Sequence, residues 1–178
     1  MTAPDCLDPA IDVVNTVMDA MRAAFRADSD CPPVGGGIDV VRMFAGDGAL
    51  PAWDPQLAQE AMFLWVRVDR RYRSRTPDFP AAFVGDGPCD NADAFAVLAV
   101  EVGVARCTSM DSECNWPLLA EEAQISLDDS WRLERVMRAV RCLRSKERAV
   151  ATDTVAPVGP EGPEGGVVAW TGMAYVQI

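Results

Sequence analysis

Apolar residues recur along this chain with two different periods, and the switches between them mark its elements. From residue 9 to 27, Ile11, Val14, Val17, Met18, Met21, Ala24 and Phe25 return at helical spacing, while Asp12, Asn15, Asp19, Arg22 and Arg26 fall largely elsewhere on the wheel. Asp8-Pro9 in front of them supplies a start signal, since Asp can accept from a first-turn N–H and Pro suits the first turn. The spacing predicts a helix over 9–27, stopped by the Pro32-Pro33 and Gly35-Gly36-Gly37 cluster. Residues 38–45 (IDVVRMFA) read as a short strand, Gly46-Asp47-Gly48 as a turn and residues 49–54 as a loop with Trp53 folded onto the core. Residues 57–61 suit one helical turn.

The period then changes to two. In 62–73 (MFLWVRVDRRYR), Leu64, Val66, Val68, Arg70 and Tyr72 share one face, and Phe63, Trp65, Arg67, Asp69 and Arg71 the other. Neither face is wholly apolar, which predicts a strand exposed over part of its length. Residues 76–80 (TPDFP) end it, and 85–93 form a second turn cluster. Residues 95–106 (FAVLAVEVGVAR) are almost continuously apolar and Val-rich, the signature of a strand buried on both faces. A polar loop follows at 108–116.

Ser126-Leu127-Asp128-Asp129 resembles a capping box, and Trp131, Leu133, Val136, Met137, Val140 and Leu143 come after it at steps of mostly three and four. A helix over 127–147 is expected, with Arg132, Arg135, Arg138 and Arg141 on its outside. Residues 150–166 read as a Gly/Pro linker. Over 167–178, Val168, Trp170, Gly172, Ala174, Val176 and Ile178 alternate with a mixed set, as in a strand. The order is α-β-β-β-α-β, which defines an α+β class. The expectation is one domain, 1–178, built on a mixed β-sheet of about four strands with both helices on one face. Its long connections would be 28–37, 76–94, 107–125 and 148–166. The final strand must return from the second helix and insert beside an earlier strand, which would cover its apolar faces and edges.

Composition narrows the chemistry. The 178 residues are 49% hydrophobic with a net charge of −11, fitting a folded chain that repels nucleic acid overall. No run of 18 apolar residues is present, so no membrane span is expected. Residues 1–5 lack the pattern of a signal peptide, so the protein is expected in the cytoplasm when made. The cysteines (Cys6, Cys31, Cys89, Cys107, Cys114, Cys142) form no CxxC pair and have no His partner, so they read as small buried hydrophobes. With no His as a neutral-pH base and no phosphate-loop motif, neither catalysis nor a cofactor or metal is expected. Glu121-Glu122 and Asp128-Asp129 read as N-terminal charges favouring a helix dipole.

Arg67, Arg70, Arg71, Arg73 and Arg75 around Tyr72 are the densest charge feature. Two readings stand beside each other: a solvated strand end, and a cationic patch that meets carboxylates on another copy or on a partner. Interface residues are expected at Arg67, Arg70, Arg71 and Arg73, with Trp53 and Trp65 either as anchors or as core.

The element order and the stretches RMFAGDGALPAWD, MFLWVRVDRRYRSRTPDFP, AVEVGVARC and EGGVVAWTGMAYVQI together resemble the tail-terminator (tail-completion) proteins of long-tailed bacteriophages. The resemblance implies a virion protein of the neck, commonly a homohexameric ring, that caps the tail tube and joins it to the head. It implies three kinds of partner: further copies of the chain, the tail tube protein and the head-completion or connector protein. DNA would pass the lumen without specific binding, which an acidic wall would favour. Other classes that fit are a different neck protein (head-closure or adaptor) and a small non-viral protein-binding module.

Overall fold

A computed structural model describes residues 7–45, 62–76, 78–84, 94–110, 115–147, 152–155 and 160–178. The expected turn at 46–48, loop at 49–54 with Trp53, helical turn at 57–61 and turn cluster at 85–93 lie outside them, as do Cys6, Cys89 and Cys114.

The first helix, α1, runs Ala10–Phe25. Its start is set as the sequence suggests, with the Asp8 carboxylate accepting from the Ala10 N–H at 3.0 Å. Val13, Val17, Met21 and Phe25 are fully buried along one face, and each such side chain contributes about 1.5–3 kcal/mol through removal from water. Past the helix, Ile38 N–H donates to the Phe25 carbonyl at 3.0 Å, so the chain doubles back. A Cβ at Gly37 would stand 2.3 Å from that carbonyl oxygen, so only glycine allows the approach.

Three strands follow: β1 Val41–Ala45, β2 Met62–Arg75 and β3 Ala94–Cys107. Then come helix α2, Trp116–Glu147, and strands β4 Thr152–Val155, β5 Pro160–Glu164 and β6 Val167–Gln177. Among the described residues the sheet holds six strands in the order β1-β2-β3-β6-β4, with β5 also paired to β6. The β1–β2 pair is parallel and the others antiparallel, so the sheet is mixed and the class is α+β. The expected order of elements is present, and β4 and β5 are additional. β6 lies between β3 and the β4/β5 edge, in the interior of the sheet.

Both helices pack on one face. Their buried residues join Leu64, Val66, Leu98, Val100, Val102, Val104, Ala174 and Val176 in a single core. On β2, β3 and β6 these positions are all even-numbered, as pleat alternation requires when registers align. The opposite face carries a smaller cluster of Phe63, Trp65, Ala105, Val167 and Ala169.

Several expectations need correction. The second helix starts near 116, not 127, so 116–125 is helix rather than loop. Asn115 is its cap, with the Leu118 N–H 3.3 Å from Asn115 Oδ1. Ser126 therefore caps nothing; its hydroxyl accepts from Trp170 Nε1 at 2.8 Å. Asp128 and Asp129 sit mid-helix, where dipole stabilisation is absent, and are held by arginines. The 148–166 connection is not all linker, since it contains β4 and β5. Trp131 is exposed and Arg132 is buried, the reverse of the expected faces.

Arg132 and Arg106 clamp the connection between α1 and β1. Arg132 donates to the carbonyls of Ala24 (2.9 Å), Cys31 (2.9 Å) and Pro32 (2.8 Å) and to Asp128 (2.7 Å). Arg106 donates to the carbonyls of Gly35 (2.7 Å) and Gly36 (2.9 Å) and grips Asp129 with Nε and Nη2. Asp128 in turn accepts from the Val34 N–H at 3.0 Å. Burial pushes the Asp128 carboxyl up, but the bonds from Arg132 and Val34 outweigh it and hold the group below its ordinary value. Burial dominates at Asp129 and raises it, with Arg106 offsetting part of the shift. The clamp thus fixes a loop that has few apolar side chains of its own to bury.

Candidate protein interface

β2 carries most of the expected interface residues, and its two halves differ. Residues 62–67 are buried; from Asp69 onward most positions are exposed. The change coincides with a register shift between Val68 and Arg70, opposite Val100 and Ala99. Asp69 is the extra residue of this bulge, and the pleat restarts with inverted parity beyond it. Arg70 and Tyr72 therefore share the face of Trp65 and Arg67, whereas Arg71 shares the helix face with Leu98. Simple alternation assigns them the other way round.

Trp65 and Arg67 are used inside the chain. Trp65 is 2% exposed. Its ring stacks on Phe63 at 5.7 Å between centroids, and its Nε1 donates to Glu101 Oε1 at 3.0 Å. Arg67, directly across from Glu101, donates Nε to Oε1 at 3.1 Å and Nη2 to Oε2. The only carboxylate within β3 is thus matched by a fork and an indole, as a buried charge requires. Of the two readings of Trp65, core packing is the one the structure supports. Trp53 lies outside the described residues.

Arg70, Arg71, Arg73 and Arg75 remain on the surface. Arg70 is 3.4 Å from Asp69 and lies over the Tyr72 ring at 5.4 Å. Arg71 reaches Asp8 at the start of α1 at 2.6 Å, and Arg73 donates to the Ala94 carbonyl at 2.8 Å. Arg75 pairs with Asp78 at 3.2 Å and covers Phe83 at 4.3 Å. The returning segment closes this edge of β2: Phe83 N–H donates to the Arg73 carbonyl (2.7 Å), Ser74 Oγ to the Ala81 carbonyl (2.7 Å) and Tyr72 to the Pro80 carbonyl. Burial raises the Tyr72 phenol above its ordinary value, so it stays a neutral donor. At Asp8, the Ala10 N–H and then Arg71 hold the carboxyl below its ordinary value. The result is a stiff arm with four guanidinium groups divided between its faces. Each is ordered by a neighbour, yet exposed enough to accept a second carboxylate. Reversing Arg70 and Arg73 to Glu is expected to leave stability within about 0.5 kcal/mol, since neither supports the core.

A separate cavity of about 280 Å³ opens under the first half of α2, lined by Val104, Leu119, Ile125, Val168 and Trp170. Its polar wall groups bond one another: Thr108 Oγ1 to Glu122 at 2.6 Å, Trp170 to Ser126, and Arg106 to Asp129. Cys107 lies at its edge and is exposed, as are Cys31 and Cys142, which corrects their reading as buried hydrophobes. Among the described residues no three of Cys, Asp and Glu gather as metal ligands, and no described helix is long and apolar enough to cross a membrane.

Among the features that sequence reasoning missed are the Arg132/Arg106 clamp and the register shift that redistributes the β2 arginines. Glu101, alone in an apolar strand, was the available signal for the Trp65–Arg67 cluster. No protein-family model matches this chain, and no curated protein matches it.

Proposed function

We propose that this chain is a structural virion protein, a tail terminator whose copies form a ring that caps the tail tube and joins it to the head. The observation that carries the reading is β6. The closing apolar segment lies in the interior of a mixed sheet with both helices on one side, in the element order that accompanies the sequence resemblance. The surface left over suits assembly by contact: the β2 arm offers ordered, exposed guanidinium groups, and the chain as a whole carries −11, so carboxylates are plentiful on a neighbouring copy. In this reading the ring is a homohexamer located at the virion neck after assembly in the host cytoplasm. It contacts the tail tube protein and the head-completion protein, and DNA passes an acidic lumen without specific binding.

Deleting the gene from the phage that carries it should leave filled heads with unjoined or overlong tails in negative stain; normal virions would refute the assignment. Complementation with the Arg70→Glu/Arg73→Glu variant should restore joined particles at least about tenfold less well than wild type, equivalent to about 1.4 kcal/mol of lost contact. Full complementation would remove the arm from the interface.

A further inference from the structure

The solvent side of α2 is more apolar than a helix facing water needs to be. Trp116, Leu127 and Trp131 are 73%, 66% and 47% exposed. At 3.6 residues per turn they fall within an arc of about 60°. The Arg135 guanidinium lies 4.8 Å from the Trp131 ring centroid and holds that indole in place. The three side chains together expose on the order of 400 Å² of apolar surface. Exposed Ala120 and Ala123 link Trp116 to Leu127 along the helix, exposed Glu134 and Arg138 bound the stripe beyond Trp131, and an apolar stripe of that size often marks a contact site on a soluble protein.

We infer that this face of α2 docks against the same face of a second copy, with the helices antiparallel and the two-fold axis beside Leu127. Charge selects this occupant. Glu121 and Arg135 are both exposed and lie on the same flank of the stripe, equally far on either side of position 128. A two-fold axis there maps each flank onto itself, so Arg135 of one copy faces Glu121 of the other, twice. Leu127 then meets its symmetry mate, Trp131 lies over Ala123, and Trp116 reaches the stem of Arg138. With the axis beside Leu127 the two helices overlap over residues 116–138, about 35 Å, and a strip about 10 Å wide gives roughly 350 Å² per copy. The total, about 700 Å², is below the standard size of a specific interface and implies a weak, transient dimer. This contact does not rest on the neck reading: an isologous pair closes on itself and cannot propagate around a ring.

Sedimentation equilibrium of the full chain from about 1 to 200 μM is expected to show a reversible monomer–dimer equilibrium that weakens with salt. Leu127→Glu and Trp131→Glu should each raise the dissociation constant at least about tenfold without moving the thermal midpoint, because both positions are exposed. Glu121→Arg and Arg135→Glu should each weaken the dimer, and the double variant should recover it. A chain that stays monomeric throughout, a dimer indifferent to Leu127→Glu and Trp131→Glu, or a double variant no better than the singles would each overturn the proposal. A dimer that behaves as expected while the gene deletion yields normal virions would keep this contact and sink the neck assignment; rings untouched by these substitutions would do the reverse.

Discussion

Arg132→Met unfolds the chain about 10 °C earlier than wild type, the equivalent of about 3–5 kcal/mol in a protein of this size. The guanidinium is 2% exposed and has no water to replace what it loses. It supplies the carbonyls of Ala24, Cys31 and Pro32 with donors and closes an ion pair with Asp128. Methionine keeps the packing of the stem and removes every donor, so the cost isolates the polar contacts from cavity formation. The Ala24 carbonyl in the last turn of α1 and the Cys31 and Pro32 carbonyls of the loop after it lose a partner, and Asp128 retains only the Val34 N–H. Each buried group left unsatisfied costs about 1–3 kcal/mol, less where the loop relaxes toward water. Arg132→Lys should recover under half of the loss, because one ammonium cannot span an acceptor set built for a planar fork. Differential scanning calorimetry of the three proteins reads both effects. A methionine variant melting within about 2 °C of wild type would mean that the loop is held by something other than this clamp.

That clamp also shows why sequence reasoning succeeded where it did. The α1 face, the long strands and the interior placement of β6 were legible because each rests on a local period, and burial on one or both faces of a strand writes itself into successive residues. Arg132 was not, because three of its acceptors lie about a hundred residues away and are backbone carbonyls, which carry no residue code, and the Asp128 pair four residues back is equally compatible with an exposed face. Charge alone assigns Arg132 to the outside, and size alone assigns Trp131 to the inside. The two are adjacent in sequence but about 100° apart on the wheel, and contacts from α1 and the loop after it decide which turns inward. The start of α2 was missed for a related reason. Its first turns present Trp116 and Leu127 to solvent and Leu119 to the cavity wall, so no single apolar stripe announces the helix. On β2, one bulged residue inverted the faces of Arg70, Arg71 and Tyr72, a change that leaves no mark on composition. The expected interface set consequently divides, Trp65 and Arg67 serving the core and Arg70, Arg71 and Arg73 the surface.

The Trp65 cluster yields the second large effect. Gly103→Ala is expected to cost about 3 kcal/mol, although alanine in a strand interior is ordinarily worth about 0.5–1 kcal/mol more than glycine. A Cβ at Gly103 would stand 2.1 Å from Cζ2, 2.3 Å from Cε2 and 2.4 Å from Cη2 of Trp65. The indole fills the space that the glycine leaves, so the methyl can enter only if the ring moves. Moving it breaks the 3.0 Å bond to Glu101 and lifts the ring from Phe63. Glu101 then depends on Arg67 alone, inside a strand otherwise buried on both faces. All three clashing atoms belong to the six-membered ring of the indole where it passes over the backbone, and a phenylalanine at 65, shorter in that direction, need not cover Gly103. In the Trp65→Phe background the alanine should therefore cost little or become stabilising. Urea unfolding of the four proteins gives the coupling energy directly, and about 2–3 kcal/mol is expected for groups in such contact. Simple additivity would mean that the ring does not rest on Gly103, and the explanation offered for glycine within an otherwise Val-rich strand would fail with it.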